Sequence, residues 1–164
     1  MILGMSTFTF VHVVLSLVGI VAGLVVMIGL LTARKFSGWT ALFLASTVAT
    51  CATGFGFPFT QLLPSHIVGI LGLVVLALAI AARYVFKLHG AWRWLYVVGA
   101  MTALYFNVFV LLAQLFAKVA ALRALAPTQS EPPFLIAQSI LLLLFLVLGA
   151  ASVAKFKSQS RFSN

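Results

Sequence analysis

The chain has 164 residues, 64% of them hydrophobic and 7% charged, with a mean hydropathy of +1.25. Soluble domains run at roughly 45–50% apolar residues, and a water-soluble fold of this size could not hide the excess. Ten Lys and Arg against one acid, Glu131, give a net charge of +9; the cations cluster beside apolar runs, which points to anionic lipid headgroups and argues against a nucleic-acid partner.

The first apolar run, Phe8 to Ala33, follows a segment without Lys or Arg and is far longer than the roughly 7–15-residue core of a signal peptide, so it is expected to stay as a membrane span. His12, Ser16, Gly19 and Gly23 share one stripe of that helix by their spacing. Two readings are open. The glycines form a close-packing seam with His12 near the interface, or His12 is a haem or proton site.

The turn Arg34-Lys35-Phe36-Ser37-Gly38 leads to a second run, Trp39 to Phe57, lined by Ser46, Thr50 and Thr53. The single cysteine, Cys51, lies within it, so no intrachain disulfide is available and a small packing residue is the plain reading. A third run, His66 to Phe86, starts after an apolar outer loop around Phe57-Pro58-Phe59. His66 is expected at the same depth as His12, and Gly69 sits one turn below it. Two such histidines suit the axial positions of one b-type haem; against that, Pro64-Ser65-His66 is also an ordinary helix entry with Ser65 as the cap.

His89, in the turn Lys87-Leu88-His89-Gly90, belongs to a lipid-facing basic cluster. The fourth run, Trp92 to Phe116, carries Asn107 and Gln114 in line with Lys118, and Gln138 on the fifth run is the expected partner of Gln114. These amides read as glue between helices or as donors to a substrate or quinone headgroup. The segment Ala117 to Ala126 lacks a breaker, so the fourth helix is expected to continue to Pro127 with Lys118 and Arg123 snorkelling or facing water. The fifth run, Phe134 to Ala154, follows a polar loop whose Glu131 is expected to pair with Arg123 or approach His66.

Five runs of about 20 residues each match a hydrocarbon core of about 30 Å, and lone strands in lipid would leave backbone groups unsatisfied. The expected fold is therefore an all-α polytopic bundle of five transmembrane helices, one integral membrane domain over residues 1–164. With five spans, Arg34, Lys35, Arg83, Lys87, Arg93, Lys155, Lys157 and Arg161 fall on one side and only Lys118 and Arg123 on the other, so the N-terminus is expected outside and the C-terminus in the cytoplasm. Trp39, Trp92 and Trp94 open spans on the cationic side. Gly23-Leu24-Val25-Val26 ending at Ala33-Arg34 matches Gly72-Leu73-Val74-Val75 ending at Ala82-Arg83, which suggests two tandem hairpins plus a fifth helix. Coincidence within a small apolar vocabulary is the alternative.

The strings GFGFPFTQLLPSHIVGI and APTQSEPPF resemble small multi-pass inner-membrane proteins of bacterial genomes that have no established activity. The resemblance implies a bacterial inner membrane and no site. The chain has no Asp, no HExxH and no phosphate-binding Gly loop, so hydrolytic and nucleotide-driven chemistry is not expected. The expected function is a non-catalytic accessory, assembly or structural component of the membrane, in contact with lipid and with other membrane proteins or further copies of itself. The alternatives are a b-type haem or quinone-linked electron carrier using His12 and His66, and a small-solute transporter.

Overall fold

In the computed structural model, residues 6–57 and 64–158 are described, and every regular element among them is helical. The helices are α1 (Thr7–Leu31), α2 (Ser37–Gly54), α3 (Pro64–Ile80) continued by a π-helical turn (Ala81–Val85), α4 (Trp92–Lys118), α5 (Ala120–Leu125) and α6 (Pro132–Ser158). Four of them, α1, α3 with its π turn, α4 and α6, are long and apolar enough to cross a membrane. The second expected span is an 18-residue helix in which Ser37, Thr40, Ser46, Thr47, Thr50 and Thr53 dilute the apolar side chains. At 1.5 Å per residue it reaches about 27 Å.

Each helix starts or stops for a local reason. Ser6 caps α1, its hydroxyl accepting from the Thr9 N–H at 3.1 Å. The chain leaves α1 through Ala33 at φ 56°, and Arg34 N–H returns to Gly29 O at 2.8 Å. Gly29 is required there: a Cβ would sit 2.9 Å from Arg34 O and 2.8 Å from the Phe36 ring. The α3–α4 turn uses three positive-φ residues, Lys87, Leu88 and Gly90. The expected extension of α4 to Pro127 is corrected. Val119, at φ −83° and ψ 117°, breaks the helix after Lys118, and α5 turns so that Phe116, Ala126 and Phe134 close a small apolar cluster. Tertiary packing overrides helix propensity here.

The helices pack most extensively as α1 with α2, then α3 with α4 and α4 with α6. The core lies among α1, α2, α3, α4 and α6 and holds Phe43, Leu76, Tyr96, Val97 and Leu104, each at most 1% exposed. The glycine seam is present and tight. A Cβ on Gly23 would meet Leu104 Cδ1 at 2.6 Å and the Phe43 ring at 2.9 Å; on Gly99, Ala79 Cβ at 3.1 Å. Side chains of neighbouring helices seated on these glycines, where a methyl group would otherwise stand, give dense dispersion contact. The matched segments end differently. Ala33-Arg34 lies in a turn beyond α1, whereas Ala82-Arg83 lies inside the π turn with Ala82 fully buried.

Candidate functional site

Two polar clusters stand at opposite ends of the bundle. At the end formed by the start of α1, the close of α2 and the start of α3, His12 Nδ1 lies 2.8 Å from Thr53 Oγ1. The Thr53 hydroxyl also reaches back to Ala49 O at 2.7 Å and Thr50 O at 3.2 Å. A hydroxyl has one proton and a carbonyl only accepts, so that proton goes to the α2 backbone and His12 Nδ1–H must donate to Thr53. Neutral His12 is thereby held in the Nδ1–H tautomer, with the Nε2 lone pair left as an acceptor. Phe57 meets the imidazole edge-on at 5.1 Å.

His66 is 5% exposed and lies over Phe55 at 6.1 Å between ring centroids, 22° from parallel. Both sequence-predicted histidines therefore border the last turn of α2, His12 against Thr53 and Phe57 and His66 against Phe55. Gly69 lies beneath, where an added Cβ would stand 3.4 Å from Phe55. Pro58 to Leu63, the rest of the expected apolar outer loop, lies outside the described residues.

The amides are distributed rather than gathered. Asn107 Nδ2 donates to Thr47 Oγ1 at 3.3 Å, joining α4 to α2 beside Gly19. Gln138 Nε2 donates to Phe109 O at 3.2 Å, while its Oε1 is buried without a partner among the described residues. Gln114 is exposed, so the expected Gln114–Gln138 pair does not form; Gln138 takes an α4 backbone carbonyl instead. Gln129, which sequence reasoning passed over, adds a parallel bond from Nε2 to Ala113 O at 2.7 Å. The α2 hydroxyls bond their own helix, Thr40 to Phe36 O, Ser46 to Leu42 O and Thr50 to Ser46 O.

Glu131 turns to neither Arg123 nor His66. Its carboxylate accepts from the Thr128 N–H, the Thr128 hydroxyl at 2.8 Å and the Ser130 N–H at 3.1 Å, closing the turn that starts α6. Desolvation pushes its pKa up, but these bonds outweigh it and hold the carboxyl below its ordinary value of 4.5.

At the other end stand Arg34, Lys35, Arg83, Lys87, Arg93 and Lys155, with His89 exposed in the α3–α4 turn. Trp39 and Trp94 are exposed at this end, and Trp92 stacks on Phe86 at 3.6 Å. Arg83 reaches across to another helix hairpin. Its Nη2 donates to Ser37 Oγ at 3.3 Å, and its guanidinium lies over Tyr96 at 5.3 Å and Tyr84 at 5.7 Å. In the sequence it was one more cation; no local signal connects it to a serine 46 positions away. Among the described residues no group of three or more His, Cys, Asp or Glu is placed to hold a metal ion. No family model matches the chain, and neither a curated protein nor a solved structure matches it.

Proposed function

We propose that the chain is a multi-pass protein of a bacterial inner membrane, crossing five times with its N-terminus outside, and that it serves as a non-catalytic accessory or assembly component. The fifth crossing is α2. Its hydroxyls are bonded to its own carbonyls, which lowers their cost in hydrocarbon, and α1 on one side and α3 on the other supply its lipid-proof walls. With α2 crossing, the positive-inside bias places the Arg83 end in the cytoplasm.

What carries the accessory reading is where the polar groups go: Asn107 to Thr47, Gln138 to a backbone carbonyl and the α2 hydroxyls to their own helix. The two amides tie helices together and the hydroxyls satisfy their own helix, so these groups do not converge on a reacting centre. Meanwhile α6 presents Leu135, Ile136, Ile140, Leu143 and Val147, each more than half exposed, as a face for lipid or a neighbouring membrane protein. The test is the size of the complex extracted from its own membrane in mild detergent. An assembly larger than one chain, lost when Ile140 and Val147 are changed to Ser, is expected; a homogeneous monomer would overturn the accessory role. Cysteine-accessibility labelling at residues in the α1–α2 and α5–α6 turns checks the topology, with cytoplasmic and outer protection respectively.

One observation favours a second reading. With the Thr53 proton on the α2 backbone, His12 donates through Nδ1 and keeps Nε2 without a partner among the described residues, the state a haem ligand or proton acceptor needs. An absorbance spectrum of the chain expressed with haem supply decides the haem version: a Soret band abolished by His12→Ala supports it, and no band removes it.

A further inference from the structure

The basic end holds a cation whose neutralising charge is not supplied by any side chain of this protein. Arg83 projects from the π turn that ends α3, a helix distortion that re-aims a side chain by inserting one residue into the turn. Two tyrosine faces and the Ser37 hydroxyl position its guanidinium. They orient the charge and leave it uncancelled. The one acidic side chain in the sequence, Glu131, is occupied by Thr128 and Ser130 at the opposite end. Of the five N–H donors a guanidinium carries, the described residues engage Nη2.

A groove of about 470 Å³ between α2 and α3 begins at the same place. It is lined by Ala41, Ala45, Val48, Ala49, Ile80 and Tyr84, among others. Ala41, Ala45 and Ala49 follow Ser37 at intervals of four, so the small residues form a slot running up α2 directly from the serine that Arg83 touches. Tyr84 belongs to both features, as a wall of the groove and as a ring against the guanidinium. The groove's lining is almost wholly apolar, and Arg83 stands beside its Tyr84 end.

We propose that this is a binding site for one anionic phospholipid, its phosphate on Arg83 and Ser37 and one acyl chain in the Ala41–Ala45–Ala49 slot. The planar fork of Arg83 suits two phosphate oxygens at once, which a lysine does not offer. Charge selects an anionic headgroup, because Arg83 has no internal carboxylate to satisfy it. The apolar slot selects a lipid over a free anion, since inorganic phosphate leaves the groove unused. The site rests on the chain being embedded in a bilayer, and on neither its orientation nor its accessory role.

The test is native mass spectrometry of the full chain from micelles carrying phosphatidylglycerol and phosphatidylcholine in equal amounts. One phosphatidylglycerol retained per chain, in preference to phosphatidylcholine, is expected. Arg83→Gln is expected to lower that retention about tenfold, the loss of one charge-assisted hydrogen-bonded contact. Arg83→Lys is expected to fall between, keeping charge without the fork. Ala45→Phe fills the slot and is expected to lower retention with every cation intact, so it carries the test if Arg83→Gln fails to fold. Lys87→Gln, at an exposed neighbouring cation, is expected to leave retention unchanged. Equal retention of the two lipids, an equal loss with Lys87→Gln, or displacement of the lipid by millimolar inorganic phosphate would each overturn the site. Failure of the wild-type chain to enter lipid nanodiscs would instead break the membrane reading beneath it.

Discussion

Helices α2 and α6 solve opposite problems with opposite compositions. The less apolar helix, α2, is the one wedged between neighbours, with Thr40, Phe43, Leu44, Ser46, Thr47 and Thr50 turned inward. The leucine-rich α6 buries a narrow stripe, Phe134, Gln138, Phe145, Ser152 and Phe156, flanked by half-buried Leu141, Leu148 and Val153, and exposes most of its remaining leucines. In water the reverse sorting would be expected. In lipid an apolar surface has no reason to hide, whereas a hydroxyl or amide has every reason to find a partner, so polarity and close packing mark the inside.

That contrast is most easily broken at the seam through which α1 meets α2. Gly23→Leu places a side chain where a single Cβ already comes within 2.6 Å of Leu104 and 2.9 Å of Phe43, both 1% exposed. Overpacking by a methylene or two costs about 1–3 kcal/mol and occasionally more; a whole leucyl side chain here is expected to cost more than about 4 kcal/mol, the largest loss of thermal stability in detergent. Cavity formation comes next. Phe43→Ala leaves a hole on α2 and is expected to cost about 2–4 kcal/mol, below the usual range for water-driven cores because lipid withdraws part of the transfer term. Leu143→Ala on α6, at a residue 61% exposed, is expected to stay within about 0.5 kcal/mol. Equal effects at the two positions would mean that the outer face of α6 is packed against something in the purified particle.

Much of this arrangement was legible in the sequence, for reasons that differ from element to element. Apolar runs bounded by charged or Pro-containing turns located α1, α3, α4 and α6 to within a few residues, because long uninterrupted apolar segments have few places to stop. The Gly19–Gly23 spacing exposed the seam, because only small residues at helical intervals allow backbones to approach. The π turn at Ala81–Val85 and the break at Val119 carried no local mark; both are set by what packs against them, Ala82 in the core and Phe116 against Phe134. His12 and His66 both border the end of α2, where they meet Thr53 and Phe55, a register that spacing within one helix does not encode. Thr47 was overlooked beside Ser46 and Thr50, although it is the residue that receives Asn107.

The Asn107–Thr47 bond therefore offers a smaller and sharper test of the inward-polar rule. A double-mutant cycle with Asn107→Leu and Thr47→Val isolates the pair. The coupling expected is about 0.6 kcal/mol, typical of amide and hydroxyl bonds between membrane helices. A coupling near zero would assign the inward turn of α2 to packing alone.

The smallest effect is expected at Glu131, outside the long apolar helices and partly exposed. Its carboxyl is held below 4.5 by the Thr128 and Ser130 donors, so the charged form is favoured in the folded turn. A depressed folded pKa contributes stability that is fully present above the unfolded value and is lost as pH falls through the folded one. Wild-type thermal stability is thus expected to decline slightly as pH falls below the carboxyl's ordinary value of 4.5, whereas Glu131→Gln, whose side chain does not titrate, should be flat there and slightly lower at neutral pH. No other acidic side chain exists in the chain to produce such a slope. An acid transition of the same size in Glu131→Gln would therefore place its origin in the terminal carboxylate or the lipid headgroups rather than in the turn that starts α6.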